Sequence, residues 1–240
     1  MKGNFLTLFL ILSGFIGISQ DTTYLNSKNQ NVSKAEDWET FKIVIQQQSD
    51  AIERIYYKSG QIKSLTPFSD YTNHIYHGIS REWFENGLLC AEVPYKSGVL
   101  DGTLRTFWPS GIPKRIDIYG QGNFIKGICF DSTGIQVDHY AYQTKPEFPG
   151  GDIALIQFIA KNAKYPKEAE STGIEGIVYV RIVISKEGKV MEPKVLRSLH
   201  PLLDNEALRV IQLLPDWRPG TNDGTPVNVW FIIPIKFKLR

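Results

Sequence analysis

The sequence closes on VNVWFIIPIKFKLR, Val227 to Arg240. From Val227 to Leu239 side chains alternate with the period of a strand. Val227, Val229, Phe231, Ile233, Ile235, Phe237 and Leu239 share one face, which should pack on a core. Asn228, Trp230, Ile232, Pro234, Lys236 and Lys238 share the other. Pro234 has no N–H to donate, so a strand that carries it belongs at a sheet edge. An open edge is a liability unless something covers it. Addition of a strand from another chain is one such cover, with main-chain hydrogen bonds giving the affinity. The thirteen residues Val227–Leu239 would reach roughly 43 Å at ~3.3 Å each, beyond a typical strand. A guest strand is therefore expected against Val227, Asn228, Val229, Trp230, Phe231, Ile232 and Ile233, stopping near the proline. Lys236 and Lys238 would guard the remainder. The competing explanation is a proline that only blunts the edge against aggregation.

Working back from this strand, residues 146–240 read as one α+β domain. The Pro/Gly-rich joint Pro146–Gly151 marks its start. Asp152 is the expected N-cap of a first helix. Ile153, Ile156, Ile159, Ala160 and Ala163 form its expected apolar face, and Pro166 disfavours helix beyond Tyr165. Glu175–Ile184, rich in β-branched residues, is a strand; SKEGK is a turn, and VMEPKVLRSL returns as a second strand. Pro201 can open a second helix, with Leu203, Ala207, Val210, Ile211 and Leu214 facing one way. DWRPGTNDGTP is expected to be a loop, and Trp217 within it a packing anchor.

Upstream the pattern changes to a repeat. HGISREWFENGLL (His77–Leu89) aligns with DGTLRTFWPSGIP (Asp101–Pro113), and YKSG (Tyr95–Gly98) with YGQG (Tyr119–Gly122), at a period of 24 residues. YYKSGQI and KGICFDSTGIQ are degenerate flanking copies. Such a period signals a stacked array. Each copy is expected to be two short strands with a turn glycine, and its paired aromatics need the next hairpin to bury them.

The first residues, MKGNFLTLFLILSGFIGISQ, carry Lys2 as their only charge, then an apolar run ending in a small-x-small step. Residues 1–19 are expected to be a signal peptide cleaved after Ser19. An uncleaved N-terminal anchor is the alternative, since the uncharged run of 18 residues is at the short end for a span. Residues 20–37 are expected to form a polar linker and 38–145 the repeat array. Export would place the two cysteines, Cys90 and Cys129, in an oxidising compartment; two unpaired thiols are favoured over a disulfide. Net charge is +2 without a basic patch, so no nucleic-acid partner is expected. His74, His77 and Asp70 sit in a hairpin region and are read as exposed, so no metal site is expected. GQGNFIKG lacks the ending of a phosphate loop. No nucleophile motif is present, so neither catalysis nor a cofactor is expected.

Five pieces in order carry a resemblance: PEFPGGDIALIQFI, YPKEA, GIEGIVYVRIVISKEGKV, LDNEALRVIQLLPDWRPG and GTPVNVWFIIPIKFKL. Together they resemble the C-terminal domain of TonB proteins, from Pro146 to the end. The resemblance implies a three-stranded antiparallel sheet packed on two helices. It implies a partner, the TonB-box peptide of an outer-membrane TonB-dependent receptor, added beside the last strand. Tyr165-Pro166 matches the family motif and joins the expected contact residues. The family works with inner-membrane motor proteins, which would apply here if the N-terminus stays as an anchor. It also implies a Pro-rich periplasmic spacer, and here the chain departs, because its first proline is Pro67. Residues 56–137 resemble MORN-type hairpin repeats, which implies a scaffold or interaction surface. The two readings are an envelope transducer of transport and a soluble periplasmic adaptor.

Overall fold

The structure is a computed structural model that describes residues 19–26, 30–34 and 37–239. The expected signal peptide or anchor, residues 1–19, lies outside the described residues except for Ser19. The chain divides into two compact units that meet at His139 and Tyr140 in sequence.

The first unit is an antiparallel sheet of β1 (Ser19–Leu25), β2 (Asn31–Val32), β3 (Thr40–Gln47), β4 (Asp50–Tyr57), β5 (Ile62–Asp70), β6 (Ile75–Tyr76), β7 (Gly78–Trp83), β8 (Leu89–Lys96), β9 (Val99–Leu100), β10 (Gly102–Phe107), β11 (Pro113–Gly120), β12 (Asn123–Phe130) and β13 (Gln136–Val137). The order is β13-β12-β11-β10-β8-β7-β5-β4-β3-β1-β2, with β6 on β5 and β9 on β8. Almost every strand pairs with its neighbour in the chain, as a row of hairpins must.

Two turn types build the row. In one, Tyr57, Phe84, Trp108 and Asp131 each donate a backbone N–H to the carbonyl four residues on, at 2.8–2.9 Å. The glycine three residues after each of them, Gly60, Gly87, Gly111 and Gly134, takes φ between 84° and 89°. In the other, Ser97-Gly98 and Gln121-Gly122 form two-residue turns with φ of 50° and 83° in both, which suits the twist of a hairpin. Aromatic and amide side chains tie successive turns together. The Tyr57 hydroxyl donates to Trp83 O at 2.8 Å, Asn86 Nδ2 to Pro109 O at 3.0 Å, and Trp108 Nε1 to Phe130 O at 3.1 Å.

The sheet begins earlier than the repeats. Residues 20–37, expected as a linker, contain β1 and β2, and β1 pairs with β3 from Ser19↔Gln46 to Leu25↔Thr40. Tyr24 packs on Trp38 at 5.1 Å between ring centroids, and Leu25 is buried. The polar Thr22-Thr23 pair hid a segment that is nonetheless β-prone.

Neither cysteine is in a disulfide. Strand order explains why: Cys90 lies on β8 and Cys129 on β12, with β10 and β11 between them, so the two are roughly 14 Å apart at ~4.8 Å per strand, beyond the reach of a disulfide. Ala91, Thr106, Arg115 and Cys129 are successive cross-strand partners and share one face. On the shared face Arg115 and Asp117 are fully buried and joined at 2.7 Å, and Asp117 also meets His139 Nε2 at 2.9 Å. Gly127 lies opposite Asp117, where an added Cβ would fall 1.9 Å from Asp117 Oδ1.

The second unit contains β14 (Gln143–Thr144), α1 (Gly151–Asn162), α2 (Lys167–Ser171), β15 (Gly176–Ile184), β16 (Val190–Arg197), α3 (Pro201–Ile211), β17 (Gly220–Asn222), β18 (Thr225–Val227) and β19 (Val229–Phe237). Its main sheet has the order β16-β15-β19. Val178, Val180, Ile182, Ile184, Ile233, Ile235 and Phe237 form one core cluster with Leu155, Ala169, Leu203, Ala207 and Ile211 of the three helices. Five of those sheet side chains, Val178, Val180, Ile182, Ile184 and Ile235, are 0% exposed, and burying each contributes about 1.5–3 kcal/mol.

Five expectations change here. Gly150, not Asp152, holds the N-cap position of α1; the chain enters through left-handed Gly150, and Asp152 sits in the first turn. The buried stripe of α1 is Leu155 with Phe158 and Ile159, while Ile153 and Ile156 are 72% and 66% exposed. Phe158 is drawn inward by Phe148, at 5.8 Å between centroids, and Phe148 by Trp217 at 5.5 Å. The short helix α2 adds a third helical segment, and its Ala169 is fully buried. The expected loop 216–226 holds the β17–β18 hairpin, which with β14 makes a second, three-stranded sheet. The terminal strand is also shorter than Val227–Leu239, breaking at Asn228.

Candidate partner-binding edge

The edge is made by β19. It pairs with β15 from Ile184↔Val229 to Gly176↔Phe237 without a bulge, and with no other strand among the described residues. The proline fixes which backbone groups face which way. Pro234 lies opposite Tyr179 inside this unbroken ladder. A proline can sit there only where the ladder asks no N–H of it, so its nitrogen and carbonyl point away from β15. Alternate residues follow the same parity. Val229, Phe231, Ile233 and Ile235 exchange hydrogen bonds with β15. Trp230, Ile232 and Lys236 turn their N–H and C=O to the free side.

Side chains sort in the same register. Phe231, Ile233, Ile235 and Phe237 point to the helices. Trp230 and Ile232, 57% and 51% exposed, stand on the open face. The Arg181 guanidinium lies 4.1 Å from the centroid of the Trp230 ring, an attraction worth about 0.5–1 kcal/mol at an exposed site. Arg181 is a site residue that sequence reasoning missed. Its signal was its place in β15 two residues before Val183, which pairs with Trp230.

The other expected contact residues are placed differently. Val227 pairs with Gly220 in the β17–β18 hairpin. Asn228 lies between β18 and β19, and its Oδ1 accepts the Lys186 N–H at 2.9 Å, anchoring the strand start to the β15–β16 turn. Tyr165 and Pro166 stand at the far end of β19: the Tyr165 ring meets Phe237 at 5.8 Å, its hydroxyl donates to the Ile174 carbonyl, and Pro166 is the N-cap of α2. The structure thus gathers Val229–Ile233 on one continuous edge and leaves Tyr165-Pro166 apart from it.

The start of the edge is braced by the small sheet. An added Cβ on Gly220 would lie 2.8 Å from Val229 Cγ2 and 2.9 Å from Thr144 O, so only glycine lets β17 approach this closely. Trp217 is buried as expected, with its backbone N–H donating to Gly188 O at 2.8 Å and its ring 5.2 Å from Phe231. Among the described residues no cluster of three or more His, Cys, Asp or Glu could hold a metal ion. No described helix is long and apolar enough to cross a membrane.

Residues 161–239 match the family of the Gram-negative bacterial TonB protein C-terminal. Over those residues the C-terminal unit is similar to TonB C-terminal domains. That family is one of the cell envelope and is associated with transport and with outer-membrane receptors. Residues 50–70 and 76–97 match the MORN repeat variant, two hairpin units of the longer sheet. Two solution structures of the Helicobacter pylori TonB C-terminal domain are similar to the TonB-like unit. One is 29% identical, covering 37% of this chain and 79% of that one with a TM-score of 0.30. The other is 27% identical, covering 36% and 90% with a TM-score of 0.29. No curated protein matches.

Proposed function

We propose that the C-terminal unit binds the TonB-box segment of an outer-membrane receptor by adding it as a strand beside β19, and that this contact ties the chain to TonB-dependent transport. The observation that supports this most is the free side of β19, where Trp230 and Ile232 present two donors and two acceptors that no strand among the described residues of the second unit takes up. Four main-chain hydrogen bonds would form there, each contributing about 0.5–1.5 kcal/mol. The guest ends near Pro234, which has no donor to offer. Guest side chains opposite Trp230 and Ile232 are apolar, because cross-strand pairs on one face lie about 4.5–5.5 Å apart and would cover these exposed groups. No catalytic step and no cofactor enter this reading. Tyr165 and Pro166 contribute by holding the end of the sheet.

Titration of the full chain with synthetic TonB-box peptides tests it. Trp230→Pro and Ile232→Pro each abolish binding while the circular dichroism stays native. Binding that survives both changes refutes strand addition at this edge.

The long hairpin sheet in place of a Pro-rich spacer favours a second reading, a periplasmic adaptor that holds one partner on the repeats and another on β19. The intact mass of the native protein separates the two. Retention of residues 1–19 supports an anchored transducer able to meet inner-membrane motor proteins, and their loss supports the adaptor.

A further inference from the structure

The second unit has a groove of about 580 Å³ lined by Gln143, Thr144, Lys145, Thr221, Asn222, Val227 and Val229. Val229 is also the first residue of β19, so the groove opens where the free edge begins. It is a built feature. Gly220 lets β17 close against Val229, the Thr144 and Thr221 hydroxyls are bonded at 2.9 Å, and the Thr221 N–H donates to Thr144 Oγ1 at 3.0 Å. The lining joins the Val227 and Val229 side chains to amide and hydroxyl groups and one cation. Lys145 makes no ion pair among the described residues, and no carboxylate lines the groove.

We propose that this groove is a second recognition subsite, which takes the residues of the guest chain that run past the strand-paired stretch and prefers them polar and acidic. The inference rests on strand addition at β19 and deepens it. A guest paired with Ile232 and Trp230 and continued in the same direction passes Asn228, where β19 ends and the groove takes over. The register of β19 does not run on into the groove, since the strand starts at Val229 and Val227 pairs with Gly220 in the second sheet. Selectivity at this end therefore falls to side chains, with Lys145 attracting a carboxylate and the Thr and Asn groups bonding to hydroxyls and amides.

The probe is an eight-residue peptide of alternating Thr and Val, used alone and extended at either end by Asp-Ser-Asp or by Lys-Ser-Lys. Its affinity for the full chain is measured by fluorescence anisotropy at low salt. One extension by Asp-Ser-Asp is expected to bind about two- to fivefold more tightly than the matching Lys-Ser-Lys peptide, the size of a solvent-exposed ion pair. Lys145→Glu inverts the order, and Gln143→Trp, which fills the groove, reduces the extended peptides to the affinity of the bare one. Equal affinities for both extensions at both ends, with binding still lost in Ile232→Pro, overturn the groove and leave the edge standing. Absence of binding by the bare and all extended peptides overturns the edge and the groove together.

Discussion

The parity of β19 makes a sharp prediction from two adjacent residues. Ile232→Pro and Ile233→Pro are the same chemical change one position apart. Ile232 is 51% exposed, and its N–H faces the free side by the same rule that admits Pro234. Its replacement removes no ladder bond within the domain, so it costs less than about 1 kcal/mol of stability. Ile233 is 1% exposed and pairs with Val180 at the centre of the ladder. Its replacement removes one ladder hydrogen bond, about 0.5–1.5 kcal/mol. It also truncates a buried side chain, which costs roughly 2–5 kcal/mol for loss down to alanine. The sum is about 2.5–6.5 kcal/mol, a large part of a typical domain stability of ~5–15 kcal/mol. Urea unfolding followed by tryptophan fluorescence reads the difference. Ile233→Pro lowers the midpoint strongly at unchanged slope, while Ile232→Pro leaves it nearly in place. Equal destabilisation, or the reverse order, would show that the backbone of Pro234 faces β15, and the strand-addition geometry would fall with it.

Three further outcomes follow from the packing. Gly188, at φ 86°, would place an added Cβ 2.0 Å from Trp217 O; Gly188→Ala costs about 3 kcal/mol in urea unfolding, from left-handed strain plus displacement of the Trp217 anchor. Burial pushes the Glu206 carboxyl up, but bonds from Arg209 and the Lys164 N–H and the charge of Arg209 outweigh it and hold the group below the usual carboxylate range. A carboxylate lowered in the folded state contributes stability above its unfolded value of about 4.3 and loses it as pH falls through the folded one. Glu206→Gln therefore costs roughly 1–2 kcal/mol at pH 7, and the gap from the parent closes in unfolding curves taken below about pH 4. In the repeat unit, Asp117→Asn takes the charge from the fully buried partner of Arg115 and lowers stability by about 3 kcal/mol; an unchanged midpoint would show that the pair carries no weight.

The sequence made β19 legible because one of its faces is buried or half-buried and the other exposed, so a period of two survives in the residues. The same clarity failed for α1. Its two sides are both apolar, Ile153 and Ile156 against Leu155, Phe158 and Ile159, and only the Phe148–Trp217 pair decides which side turns inward. The β17–β18 hairpin was hidden among prolines and glycines, although Asp223-Gly224, with φ of 48° and 77°, is a strong two-residue turn signal. The groove could not be seen at all, because Thr144 and Thr221 are 77 residues apart and meet only through the fold. The repeats were visible by their period, while β1 was not, since it shares the sheet without sharing the motif.

The hairpin row has a mechanical consequence. Its strands are held almost entirely by the strands next to them in sequence, so tension applied across its two ends would peel it open unit by unit, with no single point of rupture. Each 24-residue unit released adds roughly 80 Å of extended chain. A sawtooth with that spacing in single-molecule pulling would mark the array as an extensible tether, and one abrupt rip would mark it as a rigid strut.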